Sequence, residues 1–206
     1  MRDRTGATST SATRVVTPPE PHPRSEDAAR TAAMTIPVAR GIGHGPTELA
    51  AFDAALVAAG VADRNLIPLS SVLPPGSEVL PVERIERAPG EWGDRLYCVL
   101  AEARASRPGD EAWAAIGWVH DEAGRGLLVE HTAADEASVR LLVGASLHAL
   151  CVNRGTSFAH RGIEVAGARC QGAPVCALVV AVFAAGGWRR AGAHVPVGDE
   201  HLGRAA

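Results

Sequence analysis

Two serine-containing segments are the first candidates for nucleophilic chemistry, and their surroundings separate them. The run GASLH at 144–148 is similar to a nucleophile elbow, but it ends in histidine instead of glycine and falls inside a predicted helix. An elbow needs a strained strand-to-helix turn, so a hydrolase triad is not supported. Ser70 and Ser71 follow a predicted strand and precede two prolines at 74–75, which force an extended or turning chain.

A carboxylate, Asp53, stands within the apolar pattern of a predicted helix. Asp53 follows Leu49 by four residues and precedes Leu56 by three, so it falls on the edge of the predicted buried face. An unpaired charge in that position is costly. Asp53 is therefore expected either to pair with an arginine or to serve a ligand.

The absence of lysine excludes several classes of enzyme. All 20 basic side chains of the 206 residues are arginines. Pyridoxal phosphate (PLP) enzymes and Schiff-base lyases need a lysine amine, and a P-loop needs a lysine for its phosphates. We therefore expect neither PLP nor a P-loop.

The cysteines indicate neither a metal site nor a disulfide framework. Cys170 and Cys176 are separated by five residues, which does not fit a zinc knuckle, and neither has a histidine at ligand spacing. No secretory signal precedes the four cysteines. They are predicted to be small core residues in a reducing cytoplasm, and no metal is expected.

Charge and hydropathy argue against nucleic-acid and membrane partners. The net charge is −3 and the arginines are scattered, so no basic surface is predicted. The longest apolar stretch, 175–185, is shorter than the ~20 residues of a membrane helix. It is predicted to be a buried strand.

The two predicted helices are separated by most of the predicted strands. The first helix covers about 47–59 and ends at Gly60, and the second runs from a capping box at Thr132 and Asp135 to Gly155. The second should bury Val139, Leu142, Val143, Ser146 and Leu150. Strands are predicted at 36–40, 65–69, 96–101, 113–120, 127–131, 162–168 and 175–183.

This order of elements predicts an α/β fold in which a mixed-sheet sandwich is covered by helices. The strand at 36–40 is expected at a sheet edge because it contains proline. The glycine-rich segment at 41–46 is expected to be a loop. Residues 1–33 are predicted to be a disordered extension, 34–190 the folded domain and 191–206 a flexible tail.

Three motifs together resemble the pyruvoyl-dependent arginine decarboxylases. They are TELAAFDAAL at 47–56, NLIPLSSVLPP at 65–75 and GLLVE at 126–130, in the family's order and near its spacing. The resemblance covers about 36–185 and is weak between the motifs. The absence of lysine agrees with it, because such enzymes obtain their electrophilic carbonyl from a serine.

The resemblance implies a self-cleaved enzyme with a built-in cofactor. Cleavage between Ser70 and Ser71 would divide the protein into two chains and leave a pyruvoyl group at residue 71. The implied reaction is the conversion of L-arginine to agmatine and CO2. The family also implies a homo-oligomer, a trimer or a hexamer, with active sites between subunits.

The same resemblance assigns roles to four positions. Ser71 and Glu130 are the implied catalytic residues, with Glu130 delivering a proton to the substrate Cα from apolar surroundings that should desolvate it. Asp53 and Asn65 are implied in substrate binding, and Asn65 could also orient the Ser70 carbonyl. On this basis a variant lacking the Glu130 carboxylate is expected to cleave itself normally.

Three alternatives stay open from the sequence. The same chemistry could act on a different amino acid, because Pro68 and His131 depart from the familiar family residues beside the pocket. His131 itself is either a proton relay or the last residue of an edge strand. The chain could also be an unprocessed, non-catalytic assembly subunit of the same fold.

Overall fold

The structure is a computed structural model that describes residues 34–86 and 90–188. The predicted extension at 1–33 and tail at 191–206 lie outside the described residues. Within these limits the chain forms nine strands and two helices: β1 (Met34–His44), α1 (Glu48–Ala59), β2 (Asn65–Pro68), β3 (Val72–Leu73), β4 (Ser77–Pro81), β5 (Arg95–Ala105), β6 (Glu111–His120), β7 (Gly126–Ala133), α2 (Glu136–Asn153), β8 (His160–Arg169) and β9 (Val175–Gly186).

The strands form two stacked sheets. One has the order β2-β5-β9-β1-β4 and the other the order β3-β7-β6-β8. Apolar residues of both sheets meet in the central core, while α1 packs on the outer face of the first sheet and α2 on that of the second. Because β1 pairs with β4 in parallel and with β9 antiparallel, the larger sheet is mixed. The predicted helix-covered, mixed-sheet sandwich is confirmed.

β9 is the strand with both faces covered, as its apolar sequence predicts. Val175, Ala177 and Val179 point into the core between the sheets. The alternate residues Cys176 and Leu178 pack under α1. Burial on both faces explains why this run is continuously apolar instead of alternating.

The expected glycine loop at 41–46 is wrong at its beginning, because β1 continues through His44. A Cβ atom on Gly41 would collide with the carbonyl oxygen of Ala55, and one on Gly43 with that of Ala51. These glycines therefore let α1 lie directly on the strand. Their spacing reflects helix–strand packing and not an anion-binding turn.

The predicted edge position of β1 is also wrong, since β1 lies between β9 and β4. The β4 ladder covers 34–38 and the β9 ladder covers 38–44. Pro37 thus lies in the stretch that is paired on one side only, where a missing N–H is tolerated.

α1 begins after the N-cap Thr47 and ends at Gly60, which has a φ of 86°, as predicted. Its buried face differs from the prediction, because Leu49 is 68% exposed and Ala51, Ala55, Leu56 and Ala59 make the contacts. Alanines dominate that face because the backbone of α1 lies so close to β1. Asp53 is exposed instead of half-buried.

α2 begins later than predicted. Thr132 belongs to β7, where it pairs with Ala114, and Asp135 is the N-cap that accepts from Ser138 N at 2.8 Å. Thr132 therefore pairs within the β7 ladder and does not take its predicted place in a capping box at the start of the helix. The buried face contains Val139, Val143 and Leu147, whereas Leu142 is 42% exposed.

β3 and β4 were not predicted, and they decide where the serine pair lies. β2 belongs to the larger sheet and β3 to the smaller one, so residues 69–71 cross from one sheet to the other. Leu69 N still bonds to Cys98 O of β5 at 2.9 Å, while Ser71 O already accepts from Leu128 N of β7 at 2.9 Å. The crossing is therefore confined to Ser70 and its two peptide bonds.

Candidate active site

Ser71 has an unusual backbone conformation at the sheet crossing. Its φ is 64°, and no other non-glycine residue among those described has a positive φ. The left-handed region costs an L-residue about 1–2 kcal/mol. Pairing of the adjacent Val72 with Leu127, together with the bond to Leu128 N, holds Ser71 in this conformation. The prolines at 74–75 suggested a fixed chain here, but the strain itself falls on Ser71.

The hydroxyl of Ser71 contacts the carboxylate of Glu130. Ser71 Oγ donates to Glu130 Oε2 at 3.0 Å and is 3.5 Å from Leu69 O. The first distance is that of an ordinary hydrogen bond, and the second is at the limit. Glu130 is thus the main acceptor for this hydroxyl.

The sheet pattern explains why Glu130 reaches Ser71. Leu128 and Glu130 lie on the same face of β7 because side chains alternate along a strand. β3 pairs only with Gly126 and Leu127 of β7, so Glu130 lies beyond the covered part of that edge. Its side chain is exposed, and the desolvation expected from its apolar neighbours is not found in the single chain.

A cavity of about 420 Å³ opens beside this pair. His131 also lines it, and His131 Nε2 lies 2.7 Å from Ser146 Oγ of α2, within hydrogen-bond distance. The complete lining is Ser70, Ser71, Val72, Leu127, Leu128, Val129, Glu130, His131, Ser146, Ala149, Leu150 and Arg154. The serine pair and Glu130 are therefore brought together in one cavity.

Asp53 does not line this cavity. It lies on a separate groove of about 460 Å³ formed by α1, together with Thr47, Leu49, Ala50, Phe52 and Leu56. The expected pairing with an arginine is not found, since Asp53 has no ion pair among the described residues, and its place outside the serine cavity leaves a role in ligand binding as a prediction.

Asn65 is also separate from the serine cavity. It is the first residue of β2, and its side-chain amide donates to Gly93 O. Trp188 Nε1 donates to the same carbonyl at 2.8 Å. β2 rises by about 3.3 Å per residue, so Asn65 lies about 10 Å along the strand from Pro68, the end of β2 that leads to the serines.

Arg154 is a cavity residue that sequence reasoning missed. It is the C-cap of α2, and Arg154 Nη1 donates to Leu150 O at 3.3 Å. No apolar periodicity marks a residue just beyond a helix end, so the pattern analysis could not select it. Only the packing of α2 against β7 brings it to the serine pair.

The cysteines are free thiols within the described residues. Burial raises the pKa of Cys98 to about 11, and burial also raises that of Cys176 to about 11, with Glu102 adding to the effect. Residues 34–86 and 90–188 contain no group of three or more histidine, cysteine or acidic side chains placed to hold a metal ion. None of the described helices is long and apolar enough to cross a membrane.

Comparison with known proteins gives one family match. Residues 35–185 match the family model for pyruvoyl-dependent arginine decarboxylase. A protein of that name from Halobacterium salinarum is 42% identical over 103 residues, which are 50% of this chain and 62% of the relative. One from Methanothermobacter thermautotrophicus is 37% identical over 83 residues, 40% of this chain and 52% of that protein. The matched stretch thus spans less than two thirds of either relative.

A solved structure of a pyruvoyl-dependent histidine decarboxylase at pH 8 is also similar, with a TM-score of 0.37 and 16% identity. The similarity covers 65% of this chain and 60% of that one. This similarity is too low to support a conclusion about this chain.

Proposed function

Because the chain belongs to the pyruvoyl-dependent arginine decarboxylase family, we propose that it cleaves itself between Ser70 and Ser71 and then converts L-arginine to agmatine and CO2. The observation that carries the proposal is the 3.0 Å hydrogen bond from Ser71 to Glu130, made by a serine with a φ of 64°. A strained backbone and an acceptor for the hydroxyl proton both favour attack by this serine.

The proposed cleavage uses groups of this chain. Ser71 Oγ attacks the Ser70 carbonyl carbon as Glu130 accepts the hydroxyl proton. The amide bond between the two serines then breaks, the Ser71 nitrogen takes up that proton and leaves as an amine, and an ester joins Ser70 to Ser71 Oγ. Loss of the Ser71 α-proton then expels the Ser70 carboxylate by β-elimination. Water hydrolyses the remaining dehydroalanine to a ketone, and ammonia leaves.

Residue 71 fits the group that this maturation would create. A pyruvoyl group supplies an electrophilic carbonyl for the substrate amine and accepts the electrons released with CO2. Position 71 opens into the cavity of about 420 Å³, which leaves room for an amino acid beside it. The group derives from the chain itself, so neither PLP nor a metal is required.

Glu130 is proposed to have a second role in turnover. After CO2 leaves, a proton must reach the substrate Cα, and a carboxylic acid close to residue 71 is a suitable donor. The contact between Ser71 and Glu130 supports this assignment because it puts the carboxylate beside the reacting residue. One carboxylate would therefore accept a proton in maturation and deliver one in each turnover.

Asp53 is proposed to bind the substrate guanidinium from a second copy of the chain. A carboxylate matches a guanidinium with two parallel hydrogen bonds. Asp53 is exposed and lies outside the serine cavity of its own chain, which supports a site shared between subunits of a trimer or hexamer. Asn65 is proposed to help position the substrate or the Ser70 carbonyl.

The location of Asp53 also supports a second candidate, the same chemistry on a different amino acid. If Asp53 takes no part in the site, Glu130 is the one carboxylate among the described residues that lines the cavity, and it is already assigned to proton transfer, so no further carboxylate there would select arginine.

The proposal includes a cytoplasmic location. The buried free thiols agree with it, because disulfides are rare in a reducing cytoplasm.

Mass spectrometry of the purified protein, before and after incubation with L-arginine, tests the function. We expect two fragments, residues 1–70 and a blocked 71–206, together with release of agmatine and CO2. A single intact chain that releases no agmatine would instead support a non-catalytic assembly subunit. Two fragments with CO2 released from another amino acid would support the second candidate.

A further inference from the structure

Arg154 is a cationic residue that lines the serine cavity. Its guanidinium bonds to Leu150 O, and no carboxylate of the described residues lies within ion-pair distance of it. It lines the cavity together with Ser71 and Glu130. We propose that Arg154 binds the α-carboxylate of the amino-acid substrate, an inference that rests on the proposed function.

The charges of the cavity lead to this assignment. In the proposed reaction the substrate amine reacts at residue 71, so the α-carboxylate, two bonds from that nitrogen, must also lie in the cavity. Glu130 is already there, hydrogen-bonded to Ser71, and two carboxylates repel each other. Arg154 supplies the opposite charge, and a guanidinium can bind a carboxylate with two parallel hydrogen bonds. The other nitrogen-bearing side chain of the lining, His131, already contacts Ser146 through Nε2, so Arg154 is the better partner for the substrate carboxylate.

The proposed cleavage would create a second possible partner, the new carboxylate at Ser70. Ser70 lines the cavity too, but it is exposed at the sheet crossing. Once the peptide bond is broken, that chain end can rotate out of the cavity into the solvent. The substrate carboxylate cannot, because its own amine is held at residue 71. The substrate is therefore the better partner for Arg154.

This role predicts a particular kinetic effect. The carboxylate loses its charge as CO2 forms, so Arg154 binds it more strongly in the ground state than in the transition state. Loss of such an interaction raises KM and does not lower kcat. Agmatine lacks the carboxylate, so its binding should not depend on Arg154.

The test compares Arg154→Gln, Arg154→Lys and the parental protein. Glutamine can still donate to Leu150 O but lacks the charge, whereas lysine keeps a cation. We expect Arg154→Gln to raise KM for L-arginine at least tenfold without lowering kcat, and Arg154→Lys to recover part of the loss in affinity. The inhibition constant of agmatine should change less than twofold. Arg161→Gln, on an exposed arginine outside this cavity, is the matched control and should leave all constants unchanged.

Equilibrium binding gives a readout that does not depend on turnover. Borohydride reduction of the cleaved proteins removes the reactive ketone at residue 71, and calorimetry then measures L-arginine and agmatine binding. Arg154→Gln should weaken L-arginine binding at least tenfold and leave agmatine binding unchanged. Equal weakening of both ligands would overturn the proposal and favour the Ser70 carboxylate as partner. A lower kcat with unchanged KM would overturn it as well.

The proposed function and the role of Arg154 fail in different ways. A parental protein that neither divides nor releases agmatine refutes the proposed function and, with it, the inference. A parental protein that does both, with an unchanged KM in Arg154→Gln, refutes only Arg154 as the carboxylate ligand. If Arg154→Gln does not fold, the ratio of L-arginine to agmatine affinity in Arg154→Lys decides, and an unchanged ratio overturns the inference.

Discussion

Ser71 and Glu130, 59 positions apart in the chain, are joined by a hydrogen bond of 3.0 Å from hydroxyl to carboxylate. The backbone of Ser71 is bound to the same strand, two residues earlier, through Leu128 N. One strand edge therefore holds both the nucleophile proposed for self-cleavage and the acceptor of its proton.

Replacement of Ser71 by alanine should abolish self-cleavage. Ser71→Ala has no hydroxyl to attack the preceding carbonyl, so the protein should run as one chain on a denaturing gel. Ser70→Ala is the matched control, because Ser70 contributes only its backbone carbonyl, and it should still divide. Division of Ser71→Ala at this bond would refute the mechanism.

The left-handed conformation of Ser71 should be measurable as strain in uncleaved protein. Both Ser71→Gly and Ser71→Ala lack the hydroxyl, but only glycine adopts a φ of 64° without steric cost. Ser71→Gly should be more stable by about 1 kcal/mol, net of the flexibility that glycine adds to the unfolded chain, which corresponds to about 2–4 °C in Tm. Thermal unfolding of the two intact variants checks this, and equal Tm values would argue against strain.

Replacement of Glu130 by glutamine should slow both reactions. The amide cannot take up the Ser71 proton or protonate the substrate, so we expect a loss of about 10²-fold or more in each. The motif alone led to the expectation of normal self-cleavage, and the contact with Ser71 changes that expectation. The measurements are the half-time of self-cleavage and the rate of CO2 release per cleaved chain.

Glu136→Gln is the control for Glu130→Gln, because it changes a glutamate paired with Arg140 on the surface of α2. It should cleave and turn over at the parental rates. Parental decarboxylation by Glu130→Gln would exclude Glu130 as the proton donor and direct attention to His131.

Replacement of Asp53 by asparagine should weaken arginine binding without affecting self-cleavage. Loss of a charge-assisted hydrogen bond is expected to raise KM for L-arginine by roughly tenfold. Asp63→Asn, an exposed aspartate outside the Asp53 groove, is the control. Unchanged KM in Asp53→Asn, with a neutral amino acid decarboxylated as fast as arginine, would refute the arginine assignment but not the self-cleavage.

The buried thiols predict a loss of stability at alkaline pH. Burial raises the pKa of Cys98 to about 11 from an ordinary value of 9.0. A raised pKa in the folded state contributes stability below the unfolded value, and this stability is lost as pH rises from about 9 towards about 11. Urea unfolding at pH 8 and pH 10.5 measures the loss, and Cys98→Ala should reduce the difference. An equal difference in both proteins would contradict the prediction.

Local sequence determined the elements whose signals lie within a few residues. Thr47 and Gly60 mark the ends of α1 in the sequence and in the structure. The continuous apolar run at 175–185 predicted a buried strand, and β9 is buried on both faces from 175 to 182. The type and order of the elements were enough to predict a helix-covered mixed sandwich.

Only the tertiary structure decided how the site is assembled. The left-handed Ser71 and its bond to Glu130 depend on β3 joining β7, and a two-residue strand has no periodicity to detect. The approach of Arg154 depends on the packing of α2 against β7. Glycines 41 and 43 looked like a loop because the sequence does not reveal that a helix lies on them. Asp53 was predicted on a buried edge, but alanines fill that contact and leave its carboxylate exposed. Short-range patterns encode which segments form strands and helices, whereas contacts between residues distant in the chain depend on how the two sheets pack.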